Sequence, residues 1–114
     1  MKNLVLLLAL VCAGFCAEAQ VVDGVDIWEK KEVDYLEIVG NINPLTRKTI
    51  VAVDYGQKVD MSTDTRVEGP DGKVVKFNST IDAVNQFSAW GWDVFQVYVS
   101  PEQQVKYVMR RRLN

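Results

Sequence analysis

The sequence predicts an α+β domain in which one helix, at about residues 79–90, packs across an antiparallel sheet of about five to six strands, in the order β-β-β-β-α-β-β. Three observations favour this class. Short runs of alternating apolar and polar residues recur along the chain, which is typical of half-buried strands. Residues 79–90 repeat their apolar positions at helical spacing. Turn-forming residues, among them Gly69-Pro70-Asp71-Gly72, separate the strand-like runs and favour hairpins.

The strands before the helix are predicted from this alternation. In the first strand Leu36 and Ile38 fall on one face, and Tyr35 and Val39 fall on the other. Residues 20–30 carry few large apolar groups and are expected to form a loosely ordered lead-in. The predicted strands are EVDYLEIVG (32–40), KTIVAVDYG (48–56) and two hairpin strands near 65–68 and 73–77, with a loop at 56–64.

The helix is predicted from its apolar face and from its two ends. Ser79 and Asp82 approximate a capping box, with aspartate where glutamate is usual. Phe87 and Trp90 belong to the apolar half of the helix, and Gly91 occupies the C-terminal cap position that glycine favours. Two strands follow at 92–100 and 104–113, separated by a turn that starts at Ser100-Pro101-Glu102.

The first nineteen residues predict a signal peptide. Lys2 precedes an apolar run that ends at Cys16, and Ala17-Glu18-Ala19 has the small-x-small pattern of a signal-peptidase site. The run is shorter than the about 20 residues that a membrane span needs, so an uncleaved anchor is a less favoured alternative, as is a lipoprotein. We expect an exported chain, periplasmic or extracellular, that begins at Gln20 and is not inserted in a membrane.

The composition argues against several kinds of chemistry. The chain has no histidine, and its two cysteines, Cys12 and Cys16, both lie in the predicted signal peptide. Ser-His-Asp and Cys-His catalysis and zinc sites built on His or Cys are therefore excluded from the remainder, which also forms no disulfide. The net charge of −2 is weak and negative, so it gives no strong general attraction to nucleic acid or to anionic membranes. The sequence predicts a protein that is not an enzyme and needs no cofactor.

One stretch also carries a resemblance. The run DGKVVKFNSTIDAVNQFSAWGWDVFQVYV (71–99), with YVMRRR at 107–112, resembles small exported proteins of unknown function from gut Bacteroidetes. It is more remotely similar to short domains in which a helix rich in Leu and Asn runs into a Gly-Trp-Glu strand; here Gly91-Trp92-Asp93 stands at that position. The resemblance implies the helix-to-strand fold and implies no activity or catalytic residues.

The AWGW segment at 89–92 is open to two interpretations. Trp90 and Trp92, with Tyr98 and Tyr107 nearby, would provide an aromatic platform for a sugar ring or an apolar ligand. The alternative is architectural, because Trp90 ends the apolar face of the helix and Trp92 begins the strand beneath it. The architectural interpretation is favoured for both tryptophans, more strongly for Trp92.

The strand after AWGW is apolar on both faces. Simple alternation gives one face with Trp92, Val94, Gln96 and Tyr98, and another with Asp93, Phe95, Val97 and Val99. One face is expected to meet the helix, which leaves the other for a partner or for a second copy of the chain.

Arg110, Arg111 and Arg112 form a basic cluster that would suit a phosphate, an acidic glycan or an acidic protein patch. Strand geometry sends Arg110 and Arg112 to one face and Arg111 to the other, which splits the cluster. Because charged residues on terminal strands also blunt edge pairing, a solvated strand end is favoured over an anion site.

Two further motifs have simpler explanations. Asp60, Ser62 and Asp64 alternate as in a calcium loop, but the glycine and glutamate that an EF-hand requires are replaced by Thr65 and Asp71, so no metal site is predicted. The sequence Asn78-Ser79-Thr80 matches a glycosylation sequon, and the helix cap accounts for the same residues.

The function that this pattern favours is binding without catalysis. We expect an exported module that interacts with an envelope or secreted protein or with itself, and the alternative is a protein that binds a glycan or small ligand through surface aromatics. The candidate binding residues are Trp90, Trp92, Tyr98, Tyr107, Arg110 and Arg112.

Overall fold

The computed structural model describes residues 20–113, so the predicted signal peptide lies outside the described residues. Within that range the chain forms seven strands and one helix in two antiparallel sheets, which confirms the predicted α+β class. No helix of this range is long and apolar enough to cross a membrane. The elements are β1 (Val21–Val22), β2 (Val25–Asp26), β3 (Tyr35–Ile42), β4 (Thr49–Asp54), β5 (Val67–Glu68), α1 (Thr80–Ala89), β6 (Trp92–Val99) and β7 (Val105–Arg111).

The larger sheet has four strands in the order β4-β3-β7-β6, each antiparallel to its neighbour. We call the face that packs under α1 the helix-side face, and the opposite face the outer face. Leu36 and Ile38 share one face of β3 as predicted; it is the helix-side face, where they join Met109 of β7 and Phe87 of α1 in the core. Each of these side chains is almost completely buried and stabilises the fold by about 1.5–3 kcal/mol.

Gly40 allows the helix to begin directly against β3. It follows Ile38 on the helix-side face, and a Cβ atom built on Gly40 would overlap the side chain of Thr80, the first residue of α1. Only glycine fits such a close approach without moving the helix. The glycine therefore positions the N-terminus of α1 over the sheet.

Both predicted ends of the helix are found in α1. The Ser79 hydroxyl accepts a hydrogen bond of 3.0 Å from the N–H of Asp82, and the Asp82 carboxylate accepts one of 2.9 Å from the N–H of Asn78. The returning bond thus comes from the residue before the N-cap rather than from the N-cap itself. After Trp90 closes the last turn, Gly91 adopts a φ of 108°, which favours glycine.

The segment 20–30 is folded rather than loosely ordered, which corrects the expectation from the sequence. The strands β1 and β2 form a hairpin around Asp23 and Gly24, whose φ values are 50° and 77°. Val22 and Ile27 are fully buried in the core. Strands of two residues are too short to show an alternating pattern, so the sequence gives no sign of this hairpin.

The predicted single sheet is divided, because β2, β1 and β5 form a separate three-stranded sheet. The predicted hairpin at 65–77 is accordingly reduced to the two residues of β5 and isolated bridges. Val74 bridges to Glu68 of β5, whereas Phe77 bridges to Thr49 of β4. Since residues 73–77 cross from the smaller sheet to the larger one, they cannot continue a ladder with β5.

Candidate interaction site

Trp92 belongs to the core and not to a surface. Its side chain is fully buried, and its indole N–H donates a hydrogen bond of 2.7 Å to the side-chain oxygen of Gln20. The side-chain amide of Gln20 in turn donates to the backbone carbonyl of Trp90 at 3.1 Å. The architectural interpretation of AWGW therefore holds for Trp92, which cannot contribute to an aromatic platform.

Arg111 is also architectural. Its guanidinium lies 4.4 Å from the ring centroid of Trp28 and 4.9 Å from that of Trp92, within the range of cation–π attraction. It also donates hydrogen bonds to four backbone carbonyls, those of Ile27, Trp28, Lys30 and Val33. Arg111 thereby ties the 27–33 segment to β7, and the predicted basic cluster is split between two faces as strand geometry indicates.

The remaining predicted aromatic residues do not form one surface. Trp90 is half-buried against the core and packs edge-on against Phe87, with ring centroids 5.0 Å apart. Tyr107 is half-buried on the helix-side face, where it pairs in register with Ile38. Tyr98 is exposed on the outer face. Trp90, Tyr107 and Tyr98 therefore lie in different surroundings and do not make a joint platform.

A β-bulge in β6 changes which residues share a face. Val94 pairs with Met109 of β7, but the next paired residue is Gln96, which leaves Phe95 as an extra residue. From Gln96 onwards the side chains consequently point to the opposite faces from those that simple alternation gives. The predicted assignment of faces is correct for 92–95 and wrong for 96–99.

The bulge gathers the valines of β6 on one face. Val97 and Val99 join Trp92 and Val94 on the helix-side face, because Val97 pairs with Tyr107, which pairs with the buried Ile38. The helix does not reach this far along β6, so Val99 remains 62% exposed. All residues of β6 after Trp92 are exposed, which makes β6 the least covered long strand among the described residues.

The outer face carries a second set of contacts around β6. Phe95 packs edge-on against Tyr35 at 5.5 Å between centroids, and the guanidinium of Arg110 lies 5.3 Å from the centroid of the same Phe95 ring. The Tyr98 hydroxyl donates a hydrogen bond of 2.6 Å to Glu37, whose carboxylate raises the pKa of the tyrosine above its ordinary value. The outer face of β6 is therefore partly covered by side chains of β3 and β7.

Arg112 is held at the start of β6. It pairs with Asp93 at 2.7 Å and donates to the carbonyl of Ser88, and its hydrogen bond lowers the pKa of the Asp93 carboxyl. Arg110 has no carboxylate within 4.0 Å among residues 20–113. Of the predicted basic cluster, Arg110 is thus the guanidinium that remains open to an acidic group.

The backbone of β6 has a free edge. The Ser100 N–H donates to the Gln104 carbonyl at 2.9 Å, where the β6–β7 hairpin closes. In an antiparallel ladder the direction of the N–H and C=O groups alternates with each residue, so those of Gln96 and Tyr98 also point towards β7. The groups of Val97 and Val99 point away from β7, towards the side where no strand formed by residues 20–113 lies beside β6.

A groove of about 530 Å³ opens on the helix-side face between the start of α1 and the β6–β7 turn. It has no charged side chain in its lining, which consists of Gly40, Asn41, Ile42, Thr80, Gln103, Gln104, Val105 and Tyr107. Amide and hydroxyl groups beside one aromatic ring suit an uncharged polar ligand. Of the predicted site residues, Tyr107 is the one that lines this groove.

The aspartates of the 60–64 loop form hydrogen bonds with residues close to them in the chain. The Asp60 carboxylate accepts hydrogen bonds from the backbone N–H and the hydroxyl of Ser62, at 2.8 and 2.6 Å. Asp64 forms a two-pronged pair with Arg66, and those hydrogen bonds hold its pKa at about 2. Residues 20–113 contain no group of three or more His, Cys, Asp or Glu side chains that could hold a metal ion.

Four residues that organise this region are not among those predicted from the sequence. Gln20, Trp28, Tyr35 and Glu37 contact β6 or β7 from more than fifty positions away in the chain, and no local pattern marks such contacts. The apolar residues on both faces of β6 were the one local signal of an exposed strand.

The chain matches no protein-family model, and no curated protein and no solved structure is significantly similar to it.

Proposed function

We propose that the protein is an exported, non-catalytic interaction module, and that it binds a protein partner by pairing a partner strand with the free edge of β6. The observation that carries the proposal is that edge: within the part of the chain that the structure describes, β6 has a neighbouring strand on one side only, and each of its residues after Trp92 is exposed. Backbone pairing along a sheet edge provides affinity, and the flanking side chains provide specificity.

The composition of β6 indicates an edge strand that can pair with a partner rather than one that is protected against pairing. Proteins commonly protect their edge strands with lysine, proline, short length or a bulge. The bulge at Val94–Phe95 is one such feature, but the stretch Gln96–Val99 after it is regular. From Val94 to Ser100 the strand has neither a charged residue nor a proline, so this stretch is open to pairing.

Export and the lack of catalysis rest on the sequence. The N-terminal nineteen residues have the pattern of a signal peptide, and the rest of the chain has no histidine and no cysteine. The common pairs of nucleophile and base are therefore missing from residues 20–114. A binding role needs neither of these residue types.

A photo-reactive amino acid at Val99 tests the proposal in cells that export the protein. We expect a covalent adduct with a protein, which mass spectrometry identifies as another chain or as a second copy. The matched control is Val105, which pairs with Val99 in register and is 44% exposed, against 62% for Val99, but belongs to an interior strand. Equal adduct yields at the two positions, or none at either, would contradict β6 as the interface.

A second candidate function follows from the groove on the helix-side face. Its lining of amides, a threonine hydroxyl and the Tyr107 ring favours a neutral glycan or another uncharged polar ligand. We expect such a ligand, at about 100 times its Kd, to stabilise the protein by roughly 2.7 kcal/mol and to raise Tm by several degrees. The shift should disappear in Gln104→Ala and persist in Gln86→Ala; a shift retained in both variants places the ligand elsewhere.

A further inference from the structure

We propose that the partner strand is β6 of a second copy, paired antiparallel about a two-fold axis at Tyr98. The inference rests on the proposed function and names its partner. It joins two four-stranded sheets edge to edge into one continuous sheet. The interface is isologous, so the same residues serve on both copies.

The directions of the backbone groups select this register. The N–H and C=O groups of Val97 and Val99 point to the free edge, so these two residues can exchange hydrogen bonds with a partner strand. With the axis at Tyr98, Val97 of one copy lies opposite Val99 of the other, and each outward-pointing group meets an outward-pointing group. The two Tyr98 residues then face each other as a pair without hydrogen bonds between them.

The neighbouring registers fit less well. An axis at Val97 would place Val99 opposite Phe95, which is the extra residue of the bulge and breaks the regular ladder. An axis at Val99 would place Val97 opposite Pro101, which has no N–H to donate. The register centred on Tyr98 lies wholly within the regular stretch 96–100.

The side chains across this register are complementary. On the helix-side face the β-branched side chains of Val97 and Val99 pair across the interface, and cross-strand pairs of this kind stabilise antiparallel sheets. On the outer face the two Tyr98 rings are opposite each other, and each hydroxyl is already bonded to Glu37 of its own copy. The pairing therefore leaves the existing hydrogen bonds of the monomer in place.

The charges at the two ends of β6 are also complementary in the antiparallel arrangement. Arg110 lies beside the start of β6, and Glu102 lies in the turn after its end; neither has a salt-bridge partner among residues 20–113. The register brings Glu102 of one copy near Val94 of the other. This is two strand spacings, or roughly 10 Å, from Arg110, which is about one Debye length at 0.1 M salt, so the attraction is weak at physiological ionic strength and grows as the salt concentration falls. A parallel arrangement would put like charges together.

Cysteine trapping tests the register directly in protein purified after export from the full-length gene. Residues 20–114 contain no cysteine, so Tyr98→Cys introduces a single thiol there. Opposed residues of such a pair have Cα atoms about 4.5 Å apart, within the range of a disulfide. We expect Tyr98→Cys to form a disulfide-linked dimer under mild oxidation, with the bond located at residue 98 by peptide mapping.

Gln96→Cys is the matched control, because Gln96 lies on the same strand and the same face as Tyr98. In the proposed register, however, the Gln96 residues of the two copies are four residues apart along the strands, too far for a disulfide. We expect no more than a background yield of dimer from it. Equal yields from the two variants, or a monomer in both, would overturn the proposed pairing.

A second pair of variants guards against a trapping failure caused by misfolding. We expect Val99→Lys to raise the dimer Kd measured by sedimentation equilibrium by about tenfold or more, because it places a charge in the interface. Val105→Lys should change it by less than about threefold, since Val105 lies one strand further in. A wild-type protein that stays monomeric at every concentration overturns the self-pairing. If Val99 then still cross-links to another protein in cells, the proposed function stands; if it does not, both proposals fail.

Discussion

The indole N–H of Trp92 donates a hydrogen bond to the side chain of Gln20, which lies 72 positions earlier in the chain, and both side chains are buried. This bond connects the first described residue to the first residue of β6. It shows how the N-terminal segment completes the core: Gln20 satisfies the one polar atom of the largest buried side chain, and thereby allows Trp92 to remain under the helix.

Replacing Gln20 should therefore lower the free energy of unfolding more than replacing a solvent-exposed glutamine. In Gln20→Leu the buried indole N–H has no acceptor, and we expect the free energy of unfolding to fall by about 1–3 kcal/mol. Urea denaturation measures this change. The control is Gln86→Leu on the exposed face of α1, which should shift stability by no more than about 0.5 kcal/mol. Similar losses in the two variants would contradict a special role for Gln20.

Arg110 and Arg111 are neighbours in sequence with opposite roles, and a matched pair of substitutions separates them. Arg111→Lys loses the planar fork that reaches several carbonyls between two indole rings, so we expect a loss of about 2–4 kcal/mol. Arg110→Lys keeps a cation over the exposed Phe95 ring and should cost less than about 1 kcal/mol. Chemical denaturation of both variants measures the difference, and equal losses would be the contrary result.

Gly91 is required by two independent constraints. Its φ of 108° favours glycine, and a Cβ atom there would collide with the Trp28 ring. Gly72 has a φ of 78° but open space around the position of a Cβ atom. We expect Gly72→Ala to cost about 1 kcal/mol from backbone strain alone, and Gly91→Ala to cost at least about 1–2 kcal/mol more. Thermal unfolding compares the two, and a smaller loss at Gly91 would disprove the contact with Trp28.

The pair formed by Asp64 and Arg66 makes the stability depend on pH. Hydrogen bonds from Arg66 lower the pKa of Asp64 from 3.8 to about 2 in the folded chain, so folding favours the ionised carboxyl. Its contribution is complete above the unfolded pKa of 3.8 and is lost as the pH falls towards 2. We expect Asp64→Asn to flatten the decline in Tm between these pH values. Arg66→Gln should do the same, and the double variant should add nothing to either; independent, additive effects would show that the two side chains are not coupled.

Local signals in the sequence predict the parts of the fold that local chemistry determines. The capping residues Ser79 and Asp82 and the helix-ending Gly91 mark α1, and alternation identifies the buried face of β3. The bulge at Val94–Phe95 could not be predicted in this way, because an extra residue in a strand leaves the composition of its neighbours unchanged. As a result, the faces predicted for residues 96–99 are the reverse of those observed.

The candidate site was predictable in kind but not in detail. Apolar residues on both sides of the strand indicated an exposed surface, whereas the free backbone groups of Val97 and Val99 depend on which strands lie beside β6. Strand order is fixed by contacts between distant segments, such as the pairing of β3 with β7. Trp92 was correctly favoured as a core residue because it follows directly from the helix.

Amide hydrogen exchange along β6, measured by NMR at low and high protein concentration, tests the central claim most directly. The amides of Gln96 and Tyr98 point to β7 and should be protected at both concentrations, which provides an internal reference. We predict that the amides of Val97 and Val99 exchange freely in dilute protein and become protected as the concentration rises. If these two amides exchange equally fast at both concentrations, the edge of β6 does not pair with a second copy.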